Sequence, residues 1–195
     1  MIVLVRHGET DANRAGLLLG RADPPLNARG RQQAAAAAAA LAHEVAPVVL
    51  VSPLLRTRET ATLIGEATGA PVTLDERLLE LDYGEWDERR VAELPVDTVQ
   101  RWRADPTFAP PGGESLAELR RRVAPVAAEA FEQAGDRTVI VVSHVSPIKA
   151  LILCALDLDD GYAWRLRLDV ASICRLGPGP LGPALISFNE TGHLR

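Results

Sequence analysis

Two histidines and two arginines occupy equivalent places along this chain. Arg6 and His7 follow the apolar run Ile2-Val3-Leu4-Val5. Arg56 comes just after Val48-Val49-Leu50-Val51 and the Ser52-Pro53 dipeptide. His144 follows Val139-Ile140-Val141-Val142 and Ser143. A neutral imidazole is a competent nucleophile toward phosphorus, and a hydrogen bond to its other ring nitrogen fixes the tautomer. Gly8 lets the backbone come close enough to His7 to make that bond. A transferring phosphoryl group spreads its charge over three oxygens, so its catalysis is mostly positioning and electrostatic stabilisation. Phosphate monoester hydrolysis calls for accelerations up to ~10²¹-fold, or roughly 28 kcal/mol. One charge-assisted hydrogen bond supplies only about 1.5–3 kcal/mol. Several cations must therefore converge and act together with covalent catalysis. Arg6, His7, Arg56 and His144 are the set that could do so.

The leaving alkoxide also needs a proton, which a nucleophilic His7 cannot give. A carboxylic acid near the site can supply it. Glu80 is the leading candidate, within Arg77-Leu78-Leu79-Glu80 and just ahead of Tyr83-Gly84-Glu85-Trp86. Asp82 and Glu85 are rivals that spacing alone does not separate.

The elements that would position these residues read from the same pattern. Short apolar runs rich in β-branched residues are expected to be parallel strands buried on both faces. In an open α/β sheet, ligands bind beyond the carboxyl ends of the strands. If the strands at 2–5, 48–51 and 138–142 are neighbours, their four polar residues share one crevice. Pro71–Leu74 is a further short strand. The stretch from Gly8 to Leu26, with Asn13, Gly20 and Arg21, reads as a polar loop. Asn27 caps a helix beginning near Ala28, whose run Ala34–Ala40 gives it a small-residue packing face. Other helices are expected after Ser52-Pro53, over 97–104, from Ser115 to about Ala134 with a kink at Pro125, and from near Pro147. Asp75–Asp87 is too charged for core. Arg120-Arg121-Arg122 reads as a solvated helix face. Ser172–Leu176 and Ala184–Phe188 form an antiparallel pair at one sheet edge, and Asn189–Arg195 a loosely held tail. Strands alternate with helices, so the expected class is α/β: a three-layer sandwich, its central sheet mostly parallel, with helices on both faces and an antiparallel edge. Residues 1–195 read as one domain.

Composition narrows the partners. A formal charge of −5 argues against a nucleic-acid-binding surface. There is no secretory leader pattern and no apolar stretch near the ~20 residues of a membrane span. Cys154 and Cys174 show neither metal spacing nor a disulfide framework. The expected location is cytoplasmic. Lys149 is the only lysine, so nearly all positive charge is guanidinium, the group suited to bidentate phosphate recognition.

Taken in order, these motifs resemble the histidine phosphatase superfamily, in its phosphoglycerate mutase-like branch. The residues that carry the resemblance are Arg6-His7-Gly8-Glu9-Thr10 with Asn13, then Ser52-Pro53-Leu54-Leu55-Arg56-Thr57-Arg58-Glu59-Thr60, the Glu80–Trp86 segment, the Pro110–Ser115 loop and Ser143-His144. The resemblance implies that His7 is the phosphorylated nucleophile and Glu80 the proton donor. Arg6, Arg56 and His144 would hold the phosphoryl oxygens, and Asn13 and the backbone at Val145 would line the pocket. Gly20 and Arg21 are further substrate-binding candidates, and Trp102, Arg103 and Phe108 could shape the pocket. The family uses no metal or organic cofactor for this chemistry, and its members are often dimeric, so a homodimer is compatible with this chain.

Two departures stand out. Trp86 is followed by Asp87-Glu88 where Glu-Gly is usual, so the local loop is expected to differ. His144 is followed by Val145-Ser146-Pro147 where Gly-Gly is frequent, a form similar to the phosphatase domain fused to ribonuclease H in some bacteria, with a small expected effect on the pocket wall. No ribonuclease H portion is read in these residues. Family mutases carry an insertion between the Glu80-type motif and the Gly-Gly-Glu-Ser loop, and here that interval is short. The expectation is a phosphomonoesterase acting on a small phosphometabolite. A phosphoglycerate mutase and a non-catalytic phospho-ligand binding module are the alternatives.

Overall fold

The computed structural model describes residues 1–45 and 47–195. Its strands are β1 (Ile2–Arg6), β2 (Val48–Val51), β3 (Val72–Leu74), β4 (Val139–Ser143), β5 (Ile173–Gly179) and β6 (Gly182–Glu190). They form one sheet in the order β3-β2-β4-β1-β5-β6. β3, β2, β4 and β1 run parallel, while β5 and β6 add to β1 as an antiparallel hairpin edge. The three strands whose ends carry the chemistry are thus adjacent, with β4 in the middle.

The helices are α1 (Asp11–Ala15), α2 (Ala28–Leu41), α3 (Leu55–Thr68), α4 (Val96–Ala104), α5 (Leu116–Gln133) and α6 (Val145–Ala155). Alternation along the strands sorts them into two layers. Val3, Val5, Ile140 and Val142 pack with Ala37, Ala38, Leu41, Ala61 and Ile64 of α2 and α3. Ile2, Leu4, Val139 and Val141 pack on the other face with Leu119, Val123, Ile148 and Ile152 of α5 and α6. Each fully buried aliphatic side chain stabilises this sandwich by about 1.5–3 kcal/mol. On α2, buried Ala34, Ala37, Ala38 and Leu41 repeat at helical spacing, so the alanine run gives a close-approach face toward α3.

Several expectations are corrected. The Gly8–Leu26 stretch contains helix α1, closed by a reciprocal cap between Thr10 and Asn13. Five residues are too few to show a periodicity. Helix α6 begins at Val145, which puts Pro147 third in the first turn, where a backbone N–H has no intrahelical acceptor anyway. Pro125, the expected kink site, does lie inside α5, and both it and Arg121, whose carbonyl loses its helical donor, are exposed. Asp75–Asp87 does enter the core, through Leu78, Leu81, Tyr83 and Trp86. β5 and β6 are longer than expected, and the tail is tied down: Asn189 exchanges hydrogen bonds with Asp169, and His193 contacts the Ala171 carbonyl at 2.9 Å. No helix among the described residues is long and apolar enough to cross a membrane.

Candidate active site

His7 leaves the carboxyl end of β1 almost fully buried, and its Nδ1 donates to the carbonyl of Gly8 at 2.7 Å. That bond puts the ring proton on Nδ1 and leaves the Nε2 lone pair free. The required turn depends on two glycines. A Cβ on Gly8 would lie 2.3 Å from the Gly30 carbonyl oxygen at the start of α2. The Gly8 N–H is held by Thr60 Oγ1 of α3 at 3.2 Å.

His144 leaves β4 and caps α6, with its ring centroid 5.1 Å from that of His7. Its Nε2–H donates to Ser52 Oγ at 2.8 Å, and its Nδ1 accepts from Arg56 Nε at 3.2 Å. An arginine nitrogen can only donate, so this pair of bonds fixes the tautomer. Both imidazoles are held well below the usual histidine pKa. For His7, burial is the main cause, with Arg56 and then Arg6 adding to it. For His144 it is burial, then Arg56. Both rings are therefore neutral at pH 7.

Arg56 is wholly buried in the first turn of α3. Besides His144 it donates to the carbonyls of Ala22 at 2.8 Å and Gly20 at 2.9 Å. Burial lowers its pKa to about 10, with Glu80 and then Asp23 and Asp87 opposing, so it stays charged near neutrality. Arg6 donates to the Leu168 carbonyl at 2.6 Å, and its buried Nε has no partner among the described residues. That leaves a buried guanidinium donor unspent near the two neutral imidazoles.

Glu80 is buried at 4% exposure. Its Oε1 accepts from the backbone N–H groups of Leu81 at 2.7 Å and Ser146 at 3.2 Å. Arg122 fastens the segment by donating to the carbonyls of Arg77 and Glu80 while pairing with Glu114. Arg122 is thus not the solvated residue expected; Arg121 is, and Arg120 pairs with Asp160. Of the rivals, Glu85 is exposed, and Asp82 is spent on the Gly84 N–H and the Arg21 guanidinium.

The remaining candidates divide. Gly20 gives its carbonyl to Arg56, and Val145 opens α6, where its N–H has no helical acceptor. Asn13 uses its Oδ1 on Thr10. The Arg21 side chain faces Asp82 and Glu114, in an open polar cleft of about 600 Å³ shared with Arg121 and Arg122. Trp102 and Phe108 pack with Trp86, and Arg103 is exposed on α4. Two residues with clear structural work were missed by sequence reasoning. Ser52 orients His144. Asp87, noted only as a departure, accepts the backbone N–H groups of Gly20, Arg21 and Ala22 and so shapes the loop that holds Arg56. The sequence signal for Ser52 was its place at the end of a buried strand; Asp87 carried none beyond its charge.

A mostly parallel sheet with two histidines and two arginines at one end is the arrangement of a histidine phosphatase. The chain belongs to that superfamily, branch 1, whose family model matches residues 2–191. It is 38% identical over 198 residues to a bifunctional protein of Mycobacterium tuberculosis, covering 99% of this chain and 54% of that one. The chain thus spans about half the length of the first curated relatives it matches. Phosphoserine phosphatase 1 of Hydrogenobacter thermophilus is 35% identical, with 99% of this chain and 93% of that protein covered. Among solved structures, a mycobacterial glucosyl-3-phosphoglycerate phosphatase superposes with a TM-score of 0.87 at 32% identity, covering 97% and 99% of the two chains. A phosphoserine phosphatase of Entamoeba histolytica superposes at 0.90 with 29% identity, covering 100% and 98%.

Proposed function

We propose that this protein is a phosphomonoester phosphatase working through a covalent phosphohistidine on His7. The observation that carries the reading is the His7 ring: Nδ1–H committed to Gly8, Nε2 free, and Arg6, Arg56 and His144 around it. The Nε2 lone pair attacks phosphorus as the bond to the ester oxygen breaks. The leaving oxygen takes a proton from Glu80 in its acid form. Oε2 is the oxygen for that role, because Oε1 is the one with short backbone contacts. Arg6, Arg56 and the Val145 N–H, without a helical acceptor at the start of α6, balance the charge on the phosphoryl oxygens. Water then attacks phosphohistidine, Glu80 takes its proton, phosphate leaves and His7 is restored. His144, with its ring nitrogens engaged by Ser52 and Arg56, acts by holding the Arg56 guanidinium in place beside His7.

Phosphatases of small phosphometabolites among the relatives support the substrate class, and the two free thiols agree with a reducing, cytoplasmic setting. The test is turnover of p-nitrophenyl phosphate with an acid-quench search for labelled enzyme. Wild type traps label and turns over; His7→Ala does neither. Sustained turnover by His7→Ala sinks the mechanism. Interconversion of phosphoglycerates faster than phosphate release would replace hydrolase with mutase.

A further inference from the structure

We propose that Lys149 is the counter-charge for a carboxylate on the substrate, so that the site selects small phosphomonoesters bearing a carboxylate close to the ester oxygen. The inference rests on the phosphatase reading above and adds the substrate's second recognition point. Lys149 is the one lysine among 21 basic residues, and it lies a single turn beyond Val145 on α6. Side chains four apart share a helix face, and they lean toward the helix N-terminus. That geometry carries Lys149 back over Val145, toward the end of α6 where Ser146 holds Glu80.

A recess of about 50 Å³ lies there, with Val145, Ser146 and Lys149 along one side and Leu116, Tyr83 and Trp164 across from them. Arg77, Arg120 and Arg122 of the same layer all have carboxylate partners. Lys149 has no ion pair or hydrogen bond among the described residues and is half-buried. Burial lowers its pKa, while Glu80 raises it and Arg6 lowers it. A half-buried cation with no carboxylate in contact is partly stripped of water and gains from an anion placed against it. The phosphoryl dianion has two arginines; this recess has a single ammonium between apolar walls. One positive charge in that volume suits a carboxylate on a short carbon chain better than a second phosphate.

The experiment compares two substrate pairs, each differing in little but the carboxylate: O-phosphoserine against O-phosphoethanolamine, and 3-phosphoglycerate against glycerol 3-phosphate. In at least one pair, wild type prefers the carboxylate-bearing member in kcat/KM by about ten- to a hundredfold, the range of one charge-assisted contact. Lys149→Met brings that ratio close to one, and Lys149→Arg keeps most of it. Because the readout is a ratio within one preparation, partial misfolding does not mimic the result. No preference in wild type for either pair, or a preference that survives Lys149→Met, overturns the inference. Failure of the underlying reading shows differently: wild type would then not turn over p-nitrophenyl phosphate, and the inference would fall with it.

Discussion

At the scale of single residues, the site works by fixing tautomers. His7 has one acceptor for its proton, the Gly8 carbonyl, and His144 has one, Ser52 Oγ. The Ser52 contact matters because it keeps the Nδ1 lone pair of His144 toward Arg56. Ser52→Ala leaves a buried N–H without a partner, which costs about 1–3 kcal/mol. Urea unfolding of the variant should show a loss of that size, with Ser52→Thr recovering most of it. An unchanged midpoint would mean the imidazole finds another acceptor at no cost.

At the scale of elements, loops are braced from outside the reaction centre. Asp87 collects three backbone N–H groups from residues 20–22, and that loop returns two carbonyls to Arg56. Arg122, from the middle of α5, does the same for the Arg77–Glu80 segment. Loosening the second brace should disturb proton donation more than attack at phosphorus. Arg122→Met is therefore expected to lower kcat on alkyl phosphates by about tenfold or more, or ~1.4 kcal/mol. p-Nitrophenyl phosphate, whose leaving group needs little protonation, should lose much less. Equal losses on both substrates would show that Arg122 supports the fold rather than the acid.

For the whole molecule, the two buried neutral imidazoles link stability to pH. Their folded pKa values lie well below the unfolded value near 6.5. Above that pH neither state binds the protons, and the full stability is present. As pH falls through 6.5 the unfolded chain protonates first, so stability declines toward the folded pKa values. The slope reaches about 2.7 kcal/mol per pH unit if both rings contribute one proton each. Denaturant titrations at pH 7.5, 6.5 and 5.5 should show this decline, and His7→Asn should reduce it. Bound phosphate should flatten it too, since an anion beside the rings raises their pKa values. A stability curve flat from 7.5 to 5.5 would contradict the burial of both histidines.

Much of this was decided by local pattern. Three β-branched runs, each ending in polar groups, marked the strands, because a strand buried on both faces has to be apolar along its length. The rule that ligands bind at strand ends then placed His7, Arg56 and His144 together, and the observed order β2-β4-β1 brings them to one edge. Pattern did not reach contacts between segments far apart in the chain. Nothing near Asp87 announces that it holds residues 20–22, nothing in Arg120-Arg121-Arg122 tells the bracing residue from the solvated one, and nothing around Lys149 shows that it lacks a partner. Glu80 separated from Asp82 and Glu85 only in the folded chain, where it is buried against the Leu81 and Ser146 N–H groups while Glu85 is exposed and Asp82 pairs with Arg21. Hydrophobic periodicity records which face of an element is buried. The partner of a polar side chain depends on which distant backbone the packed layers carry to it, and only the assembled sandwich decides that.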